Sequence, residues 1–282
     1  FSLLESLIIS NCQVTQPWFF QAMPRLAHLD LSENMIQTIN WSDTLANLRD
    51  LNLAHNQITD CQFLAYIPAI KQLDLSHNFI PRFVTEDPLD HLHTLNLSWN
   101  SIDSIHFAYP ASELQSLYLA SNQLKSTALI KSEAPNLTHL DISNNQLKQL
   151  WDGCLQNLTF LNVADNSLTH LNKIPNYPSL THLECQGNRI ADIYPLVSRE
   201  YYNQLTCLDI TNNPLSAESL VKFMPRVLSQ VDTLIYPAIA ESRSPGYPVP
   251  LRNQTLSDTT VALSWSADGV TAPSYYELWM GY

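Results

Sequence analysis

The side chains best suited to chemistry in this sequence are histidines and carboxylates that recur at a fixed spacing. Six of the nine histidines, together with eight acidic residues, fall at equivalent places in a unit that returns about every 22 residues. Arg49 and Lys71 are the two bases at those places. Imidazoles beside carboxylates can exchange protons, bind metal ions or pair with a charged partner. Which of these three roles the residues can have depends on the structural elements that position them.

The spacing gives little support to a metal site or to catalysis. His91 with His93, or His55 with His77, could each offer two ligands, but no third or fourth ligand is fixed, so we predict no metal. The five glycines are too scattered for a phosphate-binding loop, and neither a nucleophile elbow nor a metalloprotease helix occurs. A Ser/His/Asp set could be assembled from any polar sheet. We therefore predict a non-catalytic protein without a cofactor.

Composition narrows the classes of partner. The formal net charge is -12, which makes nucleic acid and anionic membrane poor partners and a neutral or basic protein a better one. No stretch approaches the roughly 20 apolar residues of a membrane span. The first ten residues, FSLLESLIIS, lack a basic leader and a cleavage site, so they do not predict a signal peptide.

The recurring unit is LxxLxLxx(N/C)x(L/I), which occurs ten times. We number its positions 1 to 11 from the first leucine. Position 9 is occupied by Cys12, Asn34, Asn56, Asn78, Asn100, Asn122, Asn145, Asn166, Asn188 and Asn213. Ten matches at a nearly fixed period predict a solenoid, in which neighbouring repeats stack because none can bury its leucines alone. Strands such as Leu51-Asn52-Leu53 should form a parallel concave sheet, with the asparagines satisfying buried backbone groups.

The segments LDLSENMI, LDLSHNFI, LNLSWNSI, LYLASNQL and LDISNNQL resemble the leucine-rich repeat family, and the resemblance covers about residues 4 to 240. It implies an α/β solenoid: a horseshoe with a parallel concave β-sheet, short 3₁₀ or extended convex segments and a helical C-terminal cap, followed by β strands. A convex row of apolar residues is expected to point inward: Ile39, Cys61, Phe83, Ile105, Leu150, Leu171 and Ile193.

We predict four segments: a solenoid of about ten repeats over 1–213, a helical cap over 214–240, a linker over 241–250 and a β segment over 251–282. Ser216 is the expected N-cap of an apolar helix that includes Val221 and Phe223. The alternation around Trp265 and Tyr276 resembles the first strands of a fibronectin type III domain. About 35 residues cannot close such a sandwich, so this segment is either truncated or part of the solenoid's cap.

Cysteines and sequons bear on the compartment. Cys185 should face the core and Cys207 the concave surface, so we expect no disulfide between them. Unpaired cysteines suit a reducing compartment at least as well as an oxidising one. The N-x-S/T sequons are candidate glycosylation sites: Asn40, Asn96, Asn136, Asn157 and Asn253. Asn96 would place a glycan in the middle of the concave face.

The candidate ligand-binding residues are those that the repeat leaves exposed on the concave sheet. They are His28, Asp30, Asp50, Asn52, His55, Asp74, His77, Trp99, Tyr118, His139, Asp141, Phe160, Asp165 and His182. His55 and His77 share position 8 on adjacent strands, with Glu33 and Trp99 on either side. A solvated face, with Asp30, Asp74 and Asp141 merely following the family's consensus, is the plainer interpretation. The sharper one is an acidic docking surface with aromatic anchors.

Two functions follow from this surface. The first is an extracellular or cell-surface recognition protein that binds a protein ligand, favoured by the few lysines, the sequons and the fibronectin-like strands. The second is an intracellular scaffold or enzyme-regulating subunit, favoured by the helical cap and the unpaired cysteines. A second copy of the chain is a further candidate partner in either setting.

Overall fold

A computed structural model describes residues 2–17, 23–126, 130–150, 155–198, 205–229 and 231–235, and the backbone of 262–264 and 275–277. The strands are β1 (Ser6–Ile8), β2 (His28–Asp30), β3 (Asp50–Asn52), β4 (Gln72–Asp74), β5 (Arg82–Thr85), β6 (Thr94–Asn96), β7 (Ser104–Phe107), β8 (Ser116–Tyr118), β9 (His139–Asp141), β10 (Phe160–Asn162), β11 (His182–Glu184), β12 (Cys207–Asp209), β13 (Thr233–Ile235), β14 (Ala262–Ser264) and β15 (Tyr275–Glu277).

One parallel sheet of eleven strands forms the concave face, and the predicted solenoid is confirmed. Its order is β1-β2-β3-β4-β6-β8-β9-β10-β11-β12-β13. Register is constant, so that Leu29 pairs with Leu51 and Leu51 with Leu73. Because the pairing never slips, side chains at one repeat position lie in a row across the sheet.

The core lies between the sheet and the convex segments. Leucines at positions 4 and 6, such as Leu51 and Leu53, are buried, while the residue between them faces the concave side. The predicted convex row is buried as well: Ile39, Cys61, Phe83, Ile105, Leu150, Leu171 and Ile193. Phe63 and Phe83 are the largest fully buried side chains in the described part of the chain.

The position-9 asparagines tie consecutive repeats together. Asn78 Nδ2 donates to the carbonyl oxygens of Leu53, Leu75 and Ser76 at 3.0 to 3.1 Å, and its Oδ1 accepts the N–H of Ile58 at 2.9 Å. Leu53 and Ile58 belong to the preceding repeat, so one side chain satisfies buried groups of two repeats. Cys12 makes one such contact, from Sγ to the Ser10 carbonyl at 3.1 Å.

The convex segments are short, as predicted. They include 3₁₀ turns at Gln62–Tyr66, Ile174–Asn176 and Tyr194–Leu196, and an α-helical turn at Ile130–Glu133. β5 and β7 pair in parallel on this side, with Phe83 opposite Ile105. The buried Glu133 carboxylate accepts the N–H of Phe107 at 3.3 Å and lies 2.9 Å from Nδ1 of His106.

The C-terminal end of the solenoid holds a helix and then one more strand. Ser216 Oγ accepts the N–H of Ser219 at 3.1 Å, the contact of an N-cap. A π-helical stretch at Ser219–Phe223 continues into an α-helix at Met224–Leu228, and Phe223 is buried. Val221, placed on the apolar stripe from the sequence, is instead 75% exposed. β13 then joins the sheet beside β12, one strand beyond the ten expected.

Beyond the solenoid, β14 and β15 pair in an antiparallel register, with Leu263 opposite Tyr276. The fibronectin type III resemblance and the four segment boundaries stay predictions. The linker 241–250, Cys154 and the sequon at Asn253 lie outside the described residues.

Candidate functional site on the concave face

Position 5 lies at the centre of each concave strand, and most of its side chains serve a backbone turn. Asp30 Oδ1 accepts the N–H of Ser32 at 2.9 Å and its Oγ–H at 2.7 Å. Five side chains besides Asp30 and Asn52 accept the N–H of position 7 in the same way: Asp74, Asn96, Asp141, Asn162 and Asp209. Such an Asx turn is a local structural device. Asp30, Asn52, Asp74 and Asp141 therefore have one oxygen committed to the fold.

Carboxylates alternate with amides in this row from β2 to β6 and from β9 to β11, whereas Glu184 and Asp209 are acids on adjacent strands. Asn96 Nδ2 donates to Asp74 Oδ2 at 3.1 Å, and Asn162 Nδ2 donates to Asp141 Oδ2 at 3.4 Å. Strands in a sheet are about 4.8 Å apart, a distance at which adjacent carboxylates repel each other. An amide between two carboxylates therefore allows acids on every second strand.

Glu184 is a longer acid in the same row. Burial raises the pKa of its carboxyl, and the nearby negative charges of Asp141 and Asp209 raise it further, while His182 and a hydrogen bond from Gln186 act in the opposite direction. The protonated form of Glu184 is therefore favoured more than that of an isolated glutamate.

A groove runs across the first strands of the concave face, with a volume of about 470 Å³. Six of the predicted ligand-binding residues line it: His28, Asp30, Asp50, Asn52, Asp74 and Tyr118. Within it His28 Nδ1 lies 2.5 Å from Asp50 Oδ2. The groove also contains Gln72 and Thr94, which the sequence analysis did not select although they share position 3 with His28 and Asp50.

Tyr118 is the aromatic residue among the exceptions at position 5, the others being Ile8 and Glu184. Its phenol replaces the Asp or Asn of neighbouring repeats and cannot form the same turn through a carboxylate or amide oxygen. The side chain is half-buried at one end of the groove. Repeat geometry does not call for an aromatic residue here.

Position 8 follows a different rule, because its backbone is left-handed in repeat after repeat. The residues with positive φ at this position are Asn11, Glu33, His55, His77, Trp99, Ser121, Asn144, Asp165, Gly187 and Asn212. Asn, Asp and Gly tolerate this conformation, whereas a bulky residue rarely adopts it. At Gly187 an added Cβ would lie 2.0 Å from Asp165 Oδ1. The conformation fixes the direction in which each position-8 side chain leaves the solenoid.

Three rings at position 8 stack along the solenoid. The centroids of His55 and His77 are 3.9 Å apart with planes 11° from parallel, and those of His77 and Trp99 are 5.3 Å apart at 8°. Trp99 is 56% exposed. Burial within this stack lowers the pKa of His77, the neighbouring His55 lowers it further, and the Asp74 carboxylate opposes both effects. We call this group the ring stack.

A second, looser row of rings lies at position 3. His139 and Phe160 have centroids 5.9 Å apart, and Phe160 and His182 have centroids 6.4 Å apart. Asp141 and Asp165, the remaining predicted residues, lie beside this row at positions 5 and 8 of the same repeats. The structure thus divides the fourteen candidates among the groove, the ring stack and this second row.

The cysteines of the described segments are unpaired thiols: Cys12, Cys61, Cys185 and Cys207. Burial raises the pKa of Cys61 to about 12 and raises that of Cys185 as well. Burial also raises the pKa of Cys207 on the concave face, with Glu184 and Asp209 adding to the effect. These three thiols are therefore held protonated, and Cys185 faces the core as predicted.

Three sequons are exposed on the surface, at Asn40, Asn136 and Asn157. Asn96 differs, because its amide is half-buried in the groove, with Oδ1 bound to the N–H of Ser98 and Nδ2 bound to Asp74. Within the described residues no cluster of three or more potential ligands could hold a metal ion. No helix in that part of the chain is long and apolar enough to cross a membrane.

Family patterns for leucine-rich repeats match the chain along much of the solenoid. The pattern described as Leucine rich repeat matches residues 2–58, the one described as Leucine Rich repeats (2 copies) matches 46–89 and 112–153, and a further Leucine Rich repeat pattern matches 90–104.

Two curated relatives come from different kinds of protein. Mouse Toll-like receptor 9 is 29% identical over 150 residues, covering 49% of this chain and 14% of that protein. The alpha subunit of bovine geranylgeranyl transferase type-2 is 34% identical over 129 residues, covering 42% of this chain and 22% of that protein. The chain therefore spans less than a quarter of the length of either relative.

Among solved structures, the leucine-rich repeat domain of LRIM1 superposes with a TM-score of 0.64 at 18% identity, covering 81% of this chain and 74% of that chain. The APL1 leucine-rich repeat domain gives a TM-score of 0.63 at 23% identity, covering 76% of this chain and 56% of that chain. At such identities the likeness concerns the fold.

Proposed function

This chain belongs to the leucine-rich repeat family, and we propose that it is a non-catalytic recognition module that binds a protein ligand through its concave face. The groove is the observation that carries the proposal. Side chains from six neighbouring strands line it, and it brings together a His–Asp pair, two further carboxylates and a tyrosine. Aromatic residues beside polar groups are typical of binding hot spots.

Tyr118 supplies the strongest argument for binding over a merely solvated face. The Asp and Asn residues at position 5 hold a turn, which explains their presence without any ligand. Tyr118 at that position has no such explanation. A half-buried phenol at the end of the groove offers apolar area and a hydroxyl to a partner.

Charge favours a neutral or basic ligand. The chain carries a net charge of -12, and carboxylates outnumber bases on the concave sheet. An acidic surface attracts basic partners during encounter and disfavours acidic ones. Nucleic acid and anionic membrane are accordingly poor partners.

We place the protein outside the cell or at its surface, with an intracellular scaffold or enzyme-regulating subunit as the alternative. The exposed sequons Asn40, Asn136 and Asn157 are open to modification, which supports the first setting. Free thiols such as Cys61 and Cys185 suit the second. Of the two curated relatives, one is named as a receptor and the other as a subunit of a transferase, in keeping with a recognition role and an enzyme-subunit role respectively.

Site-specific photocrosslinking tests the binding face. A photoreactive phenylalanine analogue replaces Tyr118 in one variant and Tyr109 in a matched control, since Tyr109 is a tyrosine on a convex segment and is 55% exposed. Incubation with extract of the native source should give a discrete protein adduct from position 118 and none from position 109. Adducts from position 109 alone would move the binding face to the convex side.

The setting has its own measurement, the intact mass of natively produced protein before and after enzymatic removal of N-glycans. We expect a loss of mass that maps to Asn40, Asn136 or Asn157, with Asn96 unmodified because it is half-buried in the groove whereas the other three are exposed. An unchanged mass would contradict passage through an N-glycosylating pathway and favour the intracellular alternative. A glycan on Asn96 would contradict a ligand in the groove.

A further inference from the structure

The ring stack ends abruptly on one side. Its last member is Trp99, and the next repeat carries Ser121 at the same position. The side chain of Ser121 is a single hydroxymethyl group, and its Oγ accepts a hydrogen bond from Asn144 Nδ2 at 2.9 Å. One face of the indole therefore lies against His77, while the other faces a step in the row. We call this step the Trp99 seat.

The backbone at Trp99 sets the direction of the indole. Its φ is +57°, in the left-handed region that the position-8 residues share, and its N–H is bound to the Ala120 carbonyl at 2.8 Å. Asn144 and Asn212, at the same position, suit this conformation better than a bulky residue does. The repeat therefore explains the conformation but not the choice of tryptophan.

We propose that the Trp99 seat receives an arginine side chain of the protein ligand, with the guanidinium stacked on the exposed indole face above Ser121. This inference rests on the proposed function and names the chemistry of one contact within it. A planar cation continues the parallel order of the stack, in which each ring is within 11° of its neighbour. Tryptophan is the best aromatic partner for a cation, and guanidinium stacks where ammonium does not.

Charge around the seat favours a cation over a neutral ring. From the sixth repeat to the tenth, the concave positions carry Asp141, Asp165, Glu184 and Asp209 and neither lysine nor arginine. Asp165 lies at position 8 two repeats beyond Ser121, in the same row as the seat. An aromatic side chain would gain the stacking but nothing from these carboxylates.

The test uses hexa-arginine and hexa-lysine peptides, titrated into the full 282-residue chain by calorimetry. Because the two peptides carry the same charge, their general electrostatic attraction to the acidic chain is the same. The ratio of the two affinities therefore measures the contribution of the guanidinium group. We expect hexa-arginine to bind about two- to fivefold more tightly than hexa-lysine, the range of one exposed cation–π contact. Trp99→Leu should bring the ratio to about one.

A second variant protects the test against misfolding of the first. Ser121→Leu fills the seat with an aliphatic side chain, leaves Trp99 in place and changes no charge, so it should also remove the preference for arginine. Trp99→Phe should keep part of it. Equal binding of both peptides by the parent chain, or an unchanged preference in both Trp99→Leu and Ser121→Leu, would overturn the proposal, as would preference for a neutral tyrosine-rich peptide.

The carboxylates separate failure of the seat from failure of the binding face. Asp141→Asn with Asp165→Asn removes two charges, and Asn can keep the Asx turn at position 141, as Asn52 does in its own repeat. If this variant weakens both peptides while Trp99→Leu changes neither, acidic recognition stands and the seat is wrong. If neither change affects either peptide, the concave face is wrong as well.

Discussion

His77 and Asn78 are neighbours in the chain but have opposite tasks. Asn78 turns inward, is buried, and makes four hydrogen bonds that span two repeats. His77 turns outward with a positive φ, and its ring stacks on those of His55 and Trp99. The inner row is almost uniform along the solenoid and the outer row is varied. Stability and the proposed recognition thus depend on adjacent positions, which we expect to tolerate change independently.

The largest effect should come from breaking the inner row. Asn78→Ala leaves the buried N–H of Ile58 without a partner. The carbonyls of Leu53, Leu75 and Ser76 each lose one of their two hydrogen bonds. An unpaired buried N–H costs about 1–3 kcal/mol and the three lost bonds add to it, so we expect a loss of roughly 2–4 kcal/mol. Denaturant unfolding measures this loss.

His77→Ala is the matched control, one residue away. We expect a change of less than about 1 kcal/mol, because the side chain is half-exposed and no backbone group depends on it. Equal losses in the two variants would show that the two rows are not separate.

Gly187 tests whether its own repeat, where Asp165 crowds position 8, tolerates a side chain there. Gly187→Ala introduces a Cβ 2.0 Å from Asp165 Oδ1 at a φ of +65°, and we expect a loss of about 1–3 kcal/mol. The double variant with Asp165→Ser should recover the steric part and leave the conformational cost. Full stability of the single variant in thermal unfolding would contradict this.

Trp99→Asn should change stability in the other direction. Asn suits a positive φ, as at Asn144 and Asn212, so relief of strain should raise the free energy of unfolding by up to about 1 kcal/mol. The same variant should lose the preference for hexa-arginine. A gain in stability with loss of binding would support separate tasks for the two rows, and a destabilised variant would contradict it.

The smallest effect concerns protonation within the ring stack. Because burial and His55 lower the pKa of His77 in the folded chain, its neutral form is favoured there. Any stability it contributes is therefore present above the ordinary histidine pKa of about 6.5 and is lost as pH falls through the lowered folded value. NMR titration should place the His77 midpoint below that of a model histidine. His55→Ala should move it upward, and an unchanged midpoint would contradict the coupling.

Much of the fold could be predicted because it depends on the spacing of leucines and asparagines. That spacing placed Leu51 and Leu53 in the core and His55 beside His77. β13 was missed because its repeat has no asparagine at position 9, where Ile239 stands, and the interval to it is longer. Without an asparagine at position 9, the sequence of this segment predicted a helical cap and no strand.

The candidate site was predictable in membership more than in geometry. Shared repeat positions identified the residues, but whether Asp30 or Asp74 serves a turn depends on a hydrogen bond to the backbone two residues later. The positive φ at position 8 had a signal in the Asn, Asp and Gly that recur there. Tyr118 and Trp99 could be recognised as unusual only after the structure showed the Asx turns at position 5 and the left-handed backbone at position 8.

Separation of the two rows has a consequence for how such a chain could diverge. Loss of 22 residues by unequal recombination, for example residues 79–100, would join Asn78 to Ser101 and keep both the asparagine register and the leucine spacing. His77 would then precede Ser121 in the outer row, and Trp99 would be gone. A deletion that would unfold a globular domain would here change which side chains are exposed at position 8. The gene could therefore acquire new ligands through gain and loss of whole repeats.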